Sequence, residues 1–167
     1  HYMKMRRVKG NRFCALKLDM MKVYDRLEWA YLKAVMLKLG VSPRFTETIM
    51  RCVSSVSFSV LFNGGILDAF RPSRGLRQGD PISPMLFVIV IDVLNSLLQR
   101  AVERGLLQRL TTRHLVSSVS LYADDVVIFC HPDSRDICTI CCLLDIFGKA
   151  SGPRTNFAKC SASPIGV

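Results

Sequence analysis

Three aspartates stand where a carboxylate is costly to keep. Asp19 closes an apolar run, Phe13–Leu18, and Asp124-Asp125 lie between two others, Val119–Tyr122 and Val126–Cys130. Adjacent carboxylates repel each other and lose hydration in a packed sheet unless a cation offsets their charge. If these runs are neighbouring strands, all three groups can converge on one sheet edge. Mg2+ suits such a cluster, because it takes hard oxygen ligands and bridges protein carboxylates to substrate phosphates. Two such ions about 4 Å apart can activate an attacking hydroxyl and stabilise a leaving oxygen. The same acids could instead cap a turn, since Asp bonds its local backbone and tolerates unusual dihedrals. Spacing alone leaves both readings open.

The elements that must position these acids follow from pattern. Phe13–Leu18 is an expected strand, and Val119–Tyr122 with Val126–Cys130 an expected tight hairpin with acids at its tip. Asp25 and Glu28 make an expected capping box for a helix over Leu27–Leu39, with Leu27, Tyr31, Ala34 and Val35 on one face and Gly40 as its stop. Ser42 and Pro43 supply an N-cap and a first helical residue for a second helix. Val56–Phe62 alternates serine with bulky apolar residues, Asn63-Gly64-Gly65 turns, and Ile66–Phe70 returns. A loop rich in Gly, Pro and Arg, Arg71 to Pro81, precedes a long apolar helix opened by Asp80-Pro81 and ending near Gly105. Pro81 and Pro84 are both expected in its first turn. A last helix covers Ser134–Lys149 and is broken by Ser151-Gly152-Pro153. This order predicts an α+β domain, an antiparallel sheet with helices packed on one face.

Composition narrows the function classes. A chain of 167 residues, 50% hydrophobic, supports one globular domain and excludes a disordered segment. The longest apolar run, Met85–Ile91, is far short of the ~20 residues that span a bilayer, and the N-terminus lacks the order of a signal peptide. No membrane partner and an intracellular location are therefore expected. The net charge of +10 suits a polyanion, with Lys4, Arg6, Arg7, Lys9 and Arg12 preceding any acid and Arg71, Arg74 and Arg77 in mid-chain. Seven irregularly spaced cysteines do not form a disulfide framework. Cys138, Cys141 and Cys142, with His131 nearby, fall in the last helix, where Ile137, Ile140, Cys141, Leu144 and Phe147 form an apolar stripe, so they are read as helix residues before zinc ligands.

Four segments in order carry a resemblance. They are Leu16-Lys17-Leu18-Asp19-Met20-Met21-Lys22-Val23-Tyr24-Asp25, then Arg74-Gly75-Leu76-Arg77-Gln78-Gly79-Asp80-Pro81-Ile82-Ser83-Pro84, then Tyr122-Ala123-Asp124-Asp125, then Phe147-Gly148-Lys149-Ala150-Ser151-Gly152 with Asn156 and Lys159. Together they resemble the motifs of reverse transcriptases from non-LTR (LINE-type) retrotransposons, over nearly the whole chain. The departures are Met21, Val23, the run Pro153-Arg154-Thr155, and Cys160 in place of a typical serine.

The resemblance implies a polymerase palm with partial fingers, residues 1–13 ending the fingers and 14–167 forming the palm of one partial reverse transcriptase domain. It implies an RNA-directed DNA polymerase with Asp19, Asp124 and Asp125 as catalytic metal ligands for two Mg2+ ions, Mn2+ being a substitute. Tyr24 then lies under the sugar of the incoming nucleotide, Gln78 and Gly79 pack against the templating pair, and Lys159 acts near the leaving pyrophosphate. Arg74 and Arg77 meet nucleic-acid phosphates through their planar forks. The implied partners are an RNA template, a DNA primer, deoxynucleoside triphosphates and the remaining parts of a retrotransposon polyprotein, in cytoplasm and nucleus. The isolated chain is expected to be inactive, because missing fingers and thumb would supply the primer grip. The rivals are an RNA-dependent RNA polymerase with the same palm and an inactive nucleic-acid-binding relic.

Overall fold

A computed structural model describes residues 13–110, 119–122 and 125–165. The elements run β1 (Phe13–Leu18), β2 (Met20–Met21), α1 (Val23–Arg26), α2 (Trp29–Lys38), α3 (Pro43–Ser54), β3 (Leu61–Phe62), β4 (Gly65–Ile66), α4 (Ser83–Glu103), β5 (Val119–Tyr122), β6 (Asp125–Cys130), α5 (Ser134–Ser151), β7 (Arg154–Thr155) and β8 (Ser161–Ile165). The main sheet is antiparallel in the order β5-β6-β1-β8. The small ladders β2-β7 and β3-β4 stand beside it.

Alternation along β1 sets the layers. Cys14, Leu16 and Leu18 are buried, and so are their cross-strand partners Cys130, Ile128 and Val126 on β6. Helices α4 and α5 contact each other and supply buried Val90, Leu94, Leu98, Ile140, Leu144 and Phe147 to the same core. Each such side chain contributes about 1.5–3 kcal/mol on burial. The intervening positions of β1 are half-buried Ala15 and exposed Lys17. Helix α4 has the length and apolarity of a membrane span, yet one of its faces, from Leu86 to Ala101, is built into this core.

Several expectations need correction. The capping box does not form: Glu28 is the N-cap of α2 without a side-chain cap bond, because its carboxylate is taken by Arg74. Asp25 lies instead in the separate single turn α1. The buried stripe of α2 is Leu32, Val35 and Met36, with Ala34 exposed. Helix α4 starts at Ser83, where Asp80 Oδ1 accepts from the Ile82 N–H, so Pro81 precedes the helix and only Pro84 lies in its first turn. Asn63 and Gly64, both at positive φ, make the hairpin turn alone, and Gly65 belongs to β4. Three strands, β2, β7 and β8, have no counterpart in the expectation. Strand β7 is only two residues long, and β8 is an edge strand that tolerates Pro164. Ser42 does cap α3, accepting from the Phe45 N–H at 3.3 Å.

The end of α5 is held against the α1–α2 junction by backbone. The Glu28 N–H donates to the Ser151 carbonyl at 2.9 Å, and Gly152 follows at φ 98°. A Cβ on Gly152 would lie 2.1 Å from the Arg26 carbonyl oxygen. We therefore expect Gly152→Ala to destabilise the chain by about 3 kcal/mol, the sum of left-handed strain and overpacking. Gly105→Ala, also at positive φ but with open space around it, should cost about 1 kcal/mol. Urea unfolding of the two variants checks the contrast.

Candidate active site

Asp19 occupies the position at which the chain leaves one ladder for another. Up to Leu18 it pairs with β6 and β8; from Met20 it pairs with β7. Its backbone is fixed by the Asn156 N–H, which donates to the Asp19 carbonyl at 2.9 Å. The turn 156–160 closes on that anchor: Lys159 and Cys160 N–H groups donate to the Asn156 carbonyl at 3.0 and 3.1 Å, and Cys160 Sγ lies 3.2 Å from the same oxygen. Burial pushes the Cys160 thiol up in pKa, a hydrogen bond with the Asp19 backbone opposes this, and the Asp19 charge adds to the rise. The thiol thus sits directly behind the first acid. Sequence reading recognised Asn156 and Cys160 only as parts of a motif; their contact with Asp19 depends on a fold-back that no local pattern encodes.

The register brings a second acid to the same edge. Leu18 faces Val126 in the last pair of the ladder, so the next residue of one strand, 19, and the preceding residue of the other, 125, lie at the same end of the sheet. Asp125 also pairs with Tyr122, which closes the hairpin tightly. Asp124 lies outside the described residues, as do residues 1–12, which include the basic N-terminal stretch. Among the described residues, no three His, Cys, Asp or Glu side chains gather as a metal site. Cys138 and Cys142 are exposed and Cys141 is half-buried on α5.

Tyr24 is half-buried on α1, its ring 5.3 Å from that of buried Phe87 on α4. Its segment is clamped by the loop before α4. The Gly75 N–H donates to the Leu27 carbonyl at 2.8 Å, the Leu76 N–H donates to the Tyr24 carbonyl, and Trp29 Nε1–H donates to the Gly75 carbonyl at 2.7 Å. Gly75 has φ 91°, and a Cβ there would lie 2.8 Å from the Asp25 carbonyl oxygen, so only glycine permits this approach.

The remaining residues of interest are spread along the same surface. Gln78 is exposed and reaches Asp25 Oδ1 at 3.4 Å; Gly79 has φ 87° with no neighbour that a Cβ would meet. Arg77 and Lys159 are exposed. Arg74 is engaged by Glu28 at 2.9 Å, with both side chains about half exposed. A cleft of about 1010 Å3 adjoins them, lined by Asp25, Arg26, Glu28, Arg74, Lys149 and Arg154 among others. Asp19, itself half-buried, and Tyr24 are not part of that cleft's lining.

Comparison with known proteins identifies the family and the fold. Residues 2–164 match the family described as "Reverse transcriptase (RNA-dependent DNA polymerase)". Over 94 residues the chain is 31% identical to the "Retrovirus-related Pol polyprotein from type-1 retrotransposable element R2" of Popillia japonica, covering 56% of this chain and 16% of that protein. Over 122 residues it is 29% identical to the "Retrovirus-related Pol polyprotein from type-2 retrotransposable element R2DM" of Drosophila melanogaster, covering 72% and 11%. The chain thus spans a small part of these relatives. A telomerase from Candida albicans, solved with a fragment of telomeric RNA, superposes with a TM-score of 0.69 at 16% identity, over 93% of this chain and 27% of that one. That likeness bears out the α+β palm fold, and the retrotransposon relatives bear out the resemblance to non-LTR enzymes. The chain belongs to the reverse transcriptase (RNA-dependent DNA polymerase) family.

Proposed function

We propose that this domain is the palm of an RNA-directed DNA polymerase of a retrotransposon, with Asp19, Asp124 and Asp125 at its catalytic edge. The observation that supports the reading is the β1–β6 register, which ends at Leu18 opposite Val126 and so brings the residues next to them, 19 and 125, to the same end of the sheet. The reaction is nucleotidyl transfer. The primer 3′-hydroxyl loses its proton and attacks the α-phosphate of a deoxynucleoside triphosphate; a new P–O bond forms, the bond to the β-phosphate bridge breaks, and pyrophosphate leaves.

The proposed donor set, carboxylate oxygens alone, is of the hard type that magnesium takes. Two Mg2+ ions bound there would supply charge neutralisation at the attacking and leaving oxygens. The chain's own residues do the rest. Asn156 fixes the backbone of Asp19. Tyr24, braced on Phe87, opposes the sugar of the incoming nucleotide by bulk. Gln78 and Gly79 are the proposed contacts to the templating pair. Arg77 and Lys159 are exposed cations for phosphates, and Arg74 would exchange its Glu28 partner for one. A net charge of +10 favours the polyanionic template and primer over a neutral ligand. The rival RNA polymerase reading lacks support from the family match, which is to RNA-dependent DNA polymerases.

Two measurements on a complete polymerase carrying this palm test the proposal. Asp19→Asn keeps volume and removes a negative ligand, so primer extension on RNA with Mg2+ should fall by about two orders of magnitude or more, with the melting temperature unchanged. Equal loss of fold and activity would make Asp19 a structural residue. Tyr24→Ala should admit ribonucleotides more readily, lowering discrimination against them by about tenfold or more, whereas Tyr24→Phe keeps the ring on Phe87 and should retain it. Single-nucleotide insertion kinetics with both sugar types give the ratio, and a ratio unmoved in Tyr24→Ala returns the residue to a packing role.

A further inference from the structure

A pair of thiols lies at the other end of the two strands that carry the acids. Cys14, on β1, and Cys130, the last residue of β6, are direct cross-strand partners. They are 116 positions apart in sequence, yet their Sγ atoms are 3.3 Å apart and share a hydrogen bond. Both are buried, 3% and 5% exposed. Directly opposed residues of an antiparallel pair have Cα atoms about 4.5 or 5.5 Å apart, and both values fall in the range a disulfide spans. Sulfur needs only to move by about 1.3 Å to reach bonding distance, which small χ1 changes provide.

From this geometry we propose that Cys14 and Cys130 are an oxidisable pair, a modification site at which a peroxide converts two thiols to a disulfide that staples β1 to β6. The step balances. The Cys14 thiolate attacks one peroxide oxygen, the O–O bond breaks, and the departing hydroxide takes up a proton to become water. The Cys130 sulfur then attacks the resulting sulfenic sulfur; the S–S bond forms, the S–O bond breaks, and the leaving oxygen takes the Cys130 proton as a second water. The two sulfurs together lose two electrons, and the peroxide gains them.

Order of attack follows from the shared hydrogen bond. It lowers the pKa of Cys14 against the opposing effect of burial, and raises that of Cys130 together with burial. Access comes from the strand end: Cys14 is the second residue of β1 and Cys130 the last of β6, and strand ends open more readily than sheet centres. Cys14 is five residues from Asp19, about 17 Å along an extended strand, so the crosslink fixes register without entering the catalytic edge.

The test treats the folded chain with hydrogen peroxide at neutral pH, blocks remaining thiols after denaturation, and maps the unreduced peptides. The expected result is a Cys14–Cys130 linked peptide that dithiothreitol reverses. In a variant with the exposed cysteines replaced (Cys52→Ser, Cys138→Ser, Cys142→Ser), the oxidised form should melt higher by about 5–15 °C than the reduced form, given the long loop that the bond closes. The proposal is overturned if Cys14 and Cys130 are recovered as blocked thiols while the exposed cysteines are oxidised. It is equally overturned if the link forms only in unfolded chain, or if the oxidised variant melts at or below the reduced one.

Discussion

The register between β1 and β6 is the constraint on which everything else depends. Cys14, Leu16 and Leu18 face Cys130, Ile128 and Val126, and all six are buried. A slip of one residue would turn this apolar set outward and Lys17 inward, so burial fixes the pairing firmly. Asp19 follows immediately after Leu18 and Asp125 comes immediately before Val126, so the same packing that specifies the core also sets the backbone positions of these two acids. An apolar interface several residues long thereby brings two acidic positions to one end of the strand pair.

That dependence also explains what could be read from the chain. Strand β1, both arms of the acidic hairpin, α3 and most of α4 and α5 were legible, because each is a run of apolar residues with its own period and its own stop. The layer arrangement followed from their order. What stayed hidden is set by distant partners. Glu28 carries the signature of a capping box, but Arg74, 46 positions away, takes its carboxylate. Strand β7 has two residues and no periodicity; it exists because Met20 and Met21 offer it a ladder. Asp136 is buried on α5 at 1% exposure, an outcome that helical pattern alone argues against. Within the site, the identities of the acids were visible, whereas the anchoring of Asp19 by the Asn156 turn was not.

The departures from the family motif fall where side chains matter least. Arg154 and Thr155 stand where the family usually has lysine and isoleucine, and their structural task is a backbone ladder with β2, which many side chains permit. Pro153 comes directly after Gly152, and that succession ends a helix for conformational reasons that do not depend on its neighbours. Cys160 stands for serine, and its thiol still points at the Asn156 carbonyl at 3.2 Å. Val23 is larger than alanine and is accommodated as a buried core residue. Cys160 is the change that reaches Asp19, through the hydrogen bond between its thiol and the Asp19 backbone.

A division of labour runs through the whole site. The segment from Tyr24 to Glu28 is held by main-chain hydrogen bonds to Gly75, Leu76 and Ser151, and by glycines at 75 and 152 that let backbone meet backbone. Asp19 is held in the same way, through its carbonyl. Main-chain anchoring places an element without consuming its side chains, so the residues proposed to meet nucleotide and template are not needed to keep their own segment in place. It also makes the arrangement unforgiving where backbone meets backbone. Side chains along the edge can vary with substrate, but Gly75 and Gly152 leave no room for a methyl group, and a polymerase palm built this way tolerates drift at its surface far better than at its joints.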